Sequence, residues 1–236
     1  MEHGAANSWT ILCDFDGTVS HDDATDTLLE RHGRPGWQAL EAQWKANRLG
    51  SRDCMAGQVA LLDMDTAALE AAVDSLNLDT AFPAFVEAAQ RAGHHLVIVS
   101  DGIDHVIRRS LARLGLAGRV PIVANRLVGH GPRDWRLEFP HAVRACRRAS
   151  GTCKCAVADW MLPRRRTLLV GDGASDFCVS GVVDLVFAKS RLIDHCLVNA
   201  IPHHPIASFA DALPLLADLQ REDAVARAAE LLSTSC

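Results

Sequence analysis

Short runs of apolar, β-branched residues alternate with stretches of helical periodicity along most of the chain. Residues 9–14 (WTILCD), 95–100 (HLVIVS), 120–124, 166–172 (RTLLVGD) and 184–188 (DLVFA) predict at least five strands. Each is apolar through most of its length, as a strand covered on both faces must be. Between them, residues 83–92 predict a helix with Pro83 in its first turn and Gly93 placed to cap it, and residues 104–114 a helix closed by Gly115. Strands and helices alternating at this spacing predict an α/β fold, a Rossmann-like three-layer arrangement with a parallel sheet between two helical layers.

Two stretches depart from the rhythm. From residue 21 to residue 82 there is no strand signal, only helix-forming sequence broken at Gly33 to Gly36 and at Gly50. This predicts a small helical domain inserted after the first strand, with residues 1–20 and 83–236 forming the α/β core. Residues 125–140, punctuated by Gly129, Gly131 and Pro132, predict a hairpin or loop excursion. Residues 223–232 read as an amphipathic helix packed on the sheet.

Composition narrows the class. The 236 residues are 49% hydrophobic and 22% charged, which is the balance of a folded globular chain and excludes a disordered one. The net charge of −5 excludes a general nucleic-acid binder, which would need a basic surface for the phosphate backbone. No apolar run approaches the roughly 18 residues of a membrane span, and residues 1–8 carry no signal-peptide core, so no membrane partner and a cytoplasmic location are expected. Eight scattered cysteines read as reduced thiols, and Cys153 and Cys155 are spaced too closely for a zinc pair. Of 24 basic residues only Lys45, Lys154 and Lys189 are lysines, which draws attention to each.

The chemistry gathers where strands end. Asp14-Phe15-Asp16-Gly17-Thr18 closes the first strand, and residues two apart share a strand face, so two carboxylates can address one small site. A solvated acidic turn is the alternative for this segment taken alone. The second strand ends in Ser100-Asp101-Gly102, a hydroxyl and backbone amides suited to a phosphate oxygen. A late strand runs into Gly171-Asp172-Gly173-Ala174-Ser175-Asp176, which adds two carboxylates at a glycine-rich turn. In an open parallel sheet all three endings lie on the edge where ligands bind.

Asp14 to Val19, Ser100, Lys154 and Gly171 to Asp176 resemble, in order, the four motifs of the haloacid dehalogenase superfamily, over roughly residues 9–200. The helical insert resembles the cap of its phosphoserine-phosphatase-like group. Gly151 to Cys155 and Asp184 to Lys189 are similar to the phosphatases of methionine salvage. The resemblance implies a Mg²⁺-dependent phosphatase of small phosphorylated metabolites, 2-hydroxy-3-keto-5-methylthiopentenyl-1-phosphate or phosphoserine among them, acting as a monomer or homodimer.

It also implies roles. Asp14 would be the nucleophile that forms an aspartyl-phosphate. Asp14 and Asp172 would hold Mg²⁺ through side-chain oxygens and Asp16 through its carbonyl, with Asp176 a further ligand or an orienting group. Asp16 would protonate the leaving alkoxide and later activate water, which calls for a raised pKa beside an ionised Asp14. Ser100 and the amides of Asp101 and Gly102 would hold phosphoryl oxygens, and Lys154 would neutralise the charge growing on them. Asp23 stands where relatives bind a substrate amine, and Arg52 would meet a substrate anion; read from the residues alone, both are solvated surface. Lys189 reads as a solvated strand end.

The rival reading is a receiver-type regulatory domain, which also groups acidic residues, a hydroxyl and a lysine at strand ends around Mg²⁺. The long insert and an acid two positions after Asp14 favour turnover over signalling. A phosphotransferase or mutase of the same superfamily is the other alternative.

Overall fold

A computed structural model describes residues 8–161 and 166–233. Residues 1–7, where a leader was sought, lie outside the described residues, as do the side chains of the predicted amphipathic stretch 223–232.

The elements follow in the order β1 (Thr10–Cys13), α1 (Ala24–His32), α2 (Trp37–Lys45), α3 (Ser51–Ala60), α4 (Thr66–Asp74), α5 (Phe82–Arg91), β2 (His95–Ile103) and α6 (Asp104–Arg113). Then come β3 (Ile122–Gly131), β4 (Asp134–Glu138), α7 (Lys154–Met161), β5 (Thr167–Gly171), α8 (Phe177–Ser180), β6 (Leu185–Ala188), α9 (Ser190–Val198), β7 (His203–Pro205) and α10 (Phe209–Ser233). Among the described residues one sheet has the order β4-β3-β2-β1-β5-β6-β7, and every pairing is parallel except β3 with β4. The fold is α/β and Rossmann-like, as the alternation of runs required.

Strand periodicity explains the layers. Ile11 and Cys13 face one core cluster with Leu96, Ile98, Val170, α5, α6 and the start of α10, while Leu12 faces another with Val97, Leu169, Val186, α7 and α9. Burying each such aliphatic side chain contributes about 1.5–3 kcal/mol. The chain passes from central β1 outward through β2 and β3, then returns to the other side through β5, so strand order reverses beside β1. A parallel sheet opens a crevice at such a reversal, beyond the carboxyl ends of its strands.

The glycine breaks end helices as expected: α1 stops before Gly33, α2 starts after Gly36 and α3 starts after Gly50. Asp23 and Asp65 cap α1 and α4, each accepting a hydrogen bond from a backbone N–H three residues on. Residues 125–140 do form a hairpin, but its first strand is the same β3 that pairs with β2, so the excursion extends the sheet rather than leaving it. Trp135 in β4 donates its indole N–H to the carbonyl of Met64 at 2.8 Å, tying hairpin to insert.

Candidate active site

Asp14 follows the last residue of β1 and Asp172 the last residue of β5, two strands that pair side by side. Asp14 is buried; its Oδ1 accepts the Phe15 N–H at 2.8 Å and lies 2.8 Å from Lys154 Nζ, while Oδ2 accepts the Ser175 hydroxyl at 3.3 Å. Lys154 opens α7, which aims its stem into the sheet edge rather than into solvent. Its ammonium is 5% exposed as a residue and also meets Asp176 Oδ1 at 2.6 Å and Ser175 Oγ at 3.1 Å. Asp176 is fully buried and turns its other oxygen to the N–H groups of Asp172 and Gly173, at 3.1 and 3.3 Å.

The carboxylates of Asp14, Asp172 and Asp176 offer oxygens that all lie within 4.8 Å of one another. Three hard oxygen donors against one ammonium leave an excess of negative charge, a donor set that fits a divalent cation such as Mg²⁺. Both oxygens of Asp176 already meet Lys154 and the glycine-rich turn, so it braces that turn beside the other two carboxylates. Burial first, then the neighbouring charge of Asp176, pushes the Asp172 carboxyl up to about 6 and raises that of Asp14, with the Lys154 ammonium opposing. Asp14 and Asp176 hold the Lys154 ammonium charged despite its burial.

Asp16 has no such cation. Its Oδ1 accepts the Ala24 N–H at 2.9 Å, at the start of α1, and burial followed by the charge of Asp23 lifts its carboxyl to about 8. The sequence calls for one raised and one ordinary carboxyl; both are raised, and what separates them is the partner, an ammonium for Asp14 and a backbone amide for Asp16. Gly17 is required between them and Asp172, because its φ is +72° and a Cβ there would stand 2.4 Å from Asp172 Oδ2.

Ser100 to Gly102 leave the ladder where the register between β2 and β3 shifts, from Val99 opposite Val123 to Ile103 opposite Asn125. The bulge turns Ser100 inward, 1% exposed, and its Oγ accepts the Gly102 N–H at 2.9 Å. That amide, expected to hold a phosphoryl oxygen, is therefore spent inside the turn, and the Ser100 O–H remains as donor. A side chain at Gly102 would meet Asp16 Oδ2 at 2.5 Å. Asp101 turns its carboxylate aside, to the Ser51 hydroxyl at 2.6 Å and the Thr152 N–H at 2.9 Å.

Asp14, Asp16, Ser100 to Gly102, Asp172 and Ser175 line a cavity of about 510 Å³ whose opposite wall belongs to α1, α2 and α3. Asp23 lies on that wall; Arg52 does not, pairing instead with its neighbour Asp53 at 3.1 Å. Lys189 also corrects its expectation. It is 5% exposed and donates from Nζ to the Thr18 carbonyl at 2.9 Å, because the loop after β1 folds down over the end of β6. Sequence reading gave no role to Ser175, Asn125 and Thr152, which support Asp14 and Asp101. Asn125 carries the same signal as Ser100, a polar residue where an apolar strand run ends.

Comparison with known proteins follows from this geometry. Residues 11–180 match the model of the haloacid dehalogenase-like hydrolase family. The chain is 27% identical over 216 residues to the 2-hydroxy-3-keto-5-methylthiopentenyl-1-phosphate phosphatase of Brevibacillus brevis, covering 90% of this chain and 96% of that protein. It is 29% identical over 217 residues to the protein of the same name from Geobacillus thermodenitrificans, covering 89% and 96%. Among solved structures, a substrate-bound phosphoserine phosphatase shares the fold with a TM-score of 0.67 at 18% identity, over 88% of this chain and 98% of that one.

Proposed function

The chain belongs to the haloacid dehalogenase-like hydrolase family, and from that premise we propose that it is a Mg²⁺-dependent phosphatase of a small phosphorylated metabolite. The observation that carries the reading is the buried cluster of Asp14, Lys154 and Asp176 at the strand ends, with Asp16 beside it and its carboxyl raised to about 8.

In this reading the Asp14 carboxylate attacks phosphorus, the bond from phosphorus to the alcohol oxygen breaks, and Asp16 gives that oxygen its proton. A water then loses a proton to Asp16 and attacks the same phosphorus. The bond to Asp14 breaks, phosphate leaves, and both side chains return to their starting states. Ser175 and the Phe15 N–H hold Asp14 in place. The Ser100 O–H and the Lys154 ammonium meet charge that develops on the phosphoryl oxygens, a role strengthened by their burial. Asp14, Asp172 and the Asp16 carbonyl would hold Mg²⁺, which when bound offsets the repulsion between a carboxylate and a phosphate dianion.

The insert, residues 21–82, acts as a cap that excludes bulk water. The substrates named for the relatives, 2-hydroxy-3-keto-5-methylthiopentenyl-1-phosphate and phosphoserine, are the first to try. Relatives named as phosphatases of a small metabolite, together with the free thiols of the seven described cysteines, support a cytoplasmic enzyme. The test is phosphate release from a panel of phosphorylated metabolites with Mg²⁺ present. Release that disappears in Asp14→Asn supports the reading; no release from any ester, or equal release by the variant, overturns it.

A further inference from the structure

The wall that the insert presents to the cavity has its own charge pattern. Its charged side chains are three carboxylates, Asp23, Asp26 and Glu41, and one ammonium, Lys45. Lys45 is already committed, its Nζ 3.1 Å from Glu41 Oε1, and the other oxygen of Glu41 accepts the Gln58 amide N–H at 3.1 Å. Asp23 and Asp26 form no ion pair among the described residues. Burial, and then the charges of Asp23 and Glu41, lift the Asp26 carboxyl to about 6, with Lys45 opposing.

Among the described residues no lysine or arginine without an acidic partner faces this wall, and His21 adds an imidazole to the lining. Arg191 also lines the cavity but stands by the phosphoryl end, its Nη2 3.8 Å from where a Gly173 Cβ would lie. Arg52 is paired with Asp53 and lies outside the lining. Uncharged polar groups are present instead. Thr25 and Gln58, 8% and 3% exposed, both line the cavity, and the Thr25 hydroxyl makes no hydrogen bond among the described residues. Trp44 and Met55 supply apolar surface beside them.

A phosphomonoester that places its phosphoryl group at Asp14 must lay its alcohol portion against this wall. A carboxylate on that portion would give up water for a field of its own sign and find, among the described residues of the wall, no lysine or arginine free to pair with it. Hydroxyl, keto or amine groups would find oxygen acceptors and the Thr25 hydroxyl. We propose that the insert wall restricts the enzyme to phosphomonoesters whose alcohol portion carries no carboxylate, with Asp26 and Glu41 as the residues that exclude it. The inference rests on the phosphatase reading and narrows it. Of the two substrates named for relatives, it retains the methylthiopentenyl ester and rejects phosphoserine.

The test uses p-nitrophenyl phosphate as the reporter and reads competitive inhibition, so that a tested ester need not itself turn over. Two matched pairs differ by one carboxylate: glycerol phosphate against phosphoglycerate, and phosphoethanolamine against phosphoserine. In each pair the carboxylate-bearing member is expected to bind about tenfold more weakly or worse at low salt. Glu41→Gln and Asp26→Asn, each compared within itself, should narrow that ratio severalfold, as should about 0.5 M salt. Equal or tighter binding of the acid in both pairs overturns the proposal, and so does a ratio that neither variant changes. Failure of the whole phosphatase reading is a separate result, since p-nitrophenyl phosphate would then not be hydrolysed at all.

Discussion

Two acidic surfaces face each other across the cavity. The floor places Asp14, Asp172 and Asp176 around Lys154, and its two ion pairs, Lys154 with Asp14 and with Asp176, join side chains that are all 5% exposed or less. The wall places Asp23, Asp26 and Glu41 around Lys45, whose side chain is 68% exposed. Composition is nearly the same, three carboxylates and one ammonium, but the dielectric surroundings differ. In the floor a missing partner leaves an uncompensated buried charge, so the arrangement is rigid and reactive. Along the wall the Lys45 end of the pair with Glu41 stands in water, so that pair contributes little to stability, and the carboxylates act on whatever enters.

That contrast can be broken most sharply at Asp14. Asp14→Asn should lower turnover by at least about 10³-fold, whereas Asp26→Asn should not, and steady-state rates with an aryl phosphate decide between them. Next in size is Lys154→Met, which strands two buried carboxylates and should cost about 3–5 kcal/mol in urea unfolding of the metal-free protein. Combining it with Asp176→Asn should cost less than the two changes added together. A loss under about 1 kcal/mol for Lys154→Met would mean that the floor is wet like the wall.

A third effect appears against pH. Asp16 and Asp172 are raised to about 8 and about 6, so between about pH 4 and those values the folded metal-free protein holds protons that the unfolded chain has released. Their stabilising contribution is complete below the unfolded carboxyl pKa and is lost as pH rises through the folded values. Stability should therefore fall from about pH 4 toward pH 8, by at most about 1.4 kcal/mol per pH unit for each group. Asp16→Asn should flatten the fall between pH 6 and 8, and parallel curves for the two proteins would contradict the raised carboxyl. The smallest effect belongs to the wall. Lys45→Ala removes one i, i+4 pair with Glu41 and should change unfolding free energy by less than about 0.5 kcal/mol.

Much of the floor was readable in the residues because each of its groups ends an apolar run. Asp14, Ser100 and Asp172 stand at breaks between a buried strand and a glycine-rich turn, and the parallel sheet brings such breaks to one edge. What could not be read was which group touches which. Ser175 and Asp14 are 161 positions apart and meet only because β1 and β5 pair. Lys189 looked like a solvated strand end because nothing local signals that the Thr18 loop descends on it. The polar strand His203–Pro205 carries no strand pattern and exists because β6 offers it an edge. The wall was the least legible, since a buried Gln58 holding Glu41 has the same helical pattern as solvated surface.

The covalent role of Asp14 is the centre of the account, and a trapping experiment addresses it directly. Asp16→Asn should still accept the phosphoryl group from an aryl ester, whose leaving group needs little protonation, but should release it slowly for want of a base. Quenching that variant in acid after mixing it with Mg²⁺ and radiolabelled aryl phosphate should leave about one label per chain on Asp14, removable by hydroxylamine as an acyl phosphate is. Turnover of the ester by this variant without a protein-bound label, or a label that persists when Asp14 is also changed to Asn, would contradict the account.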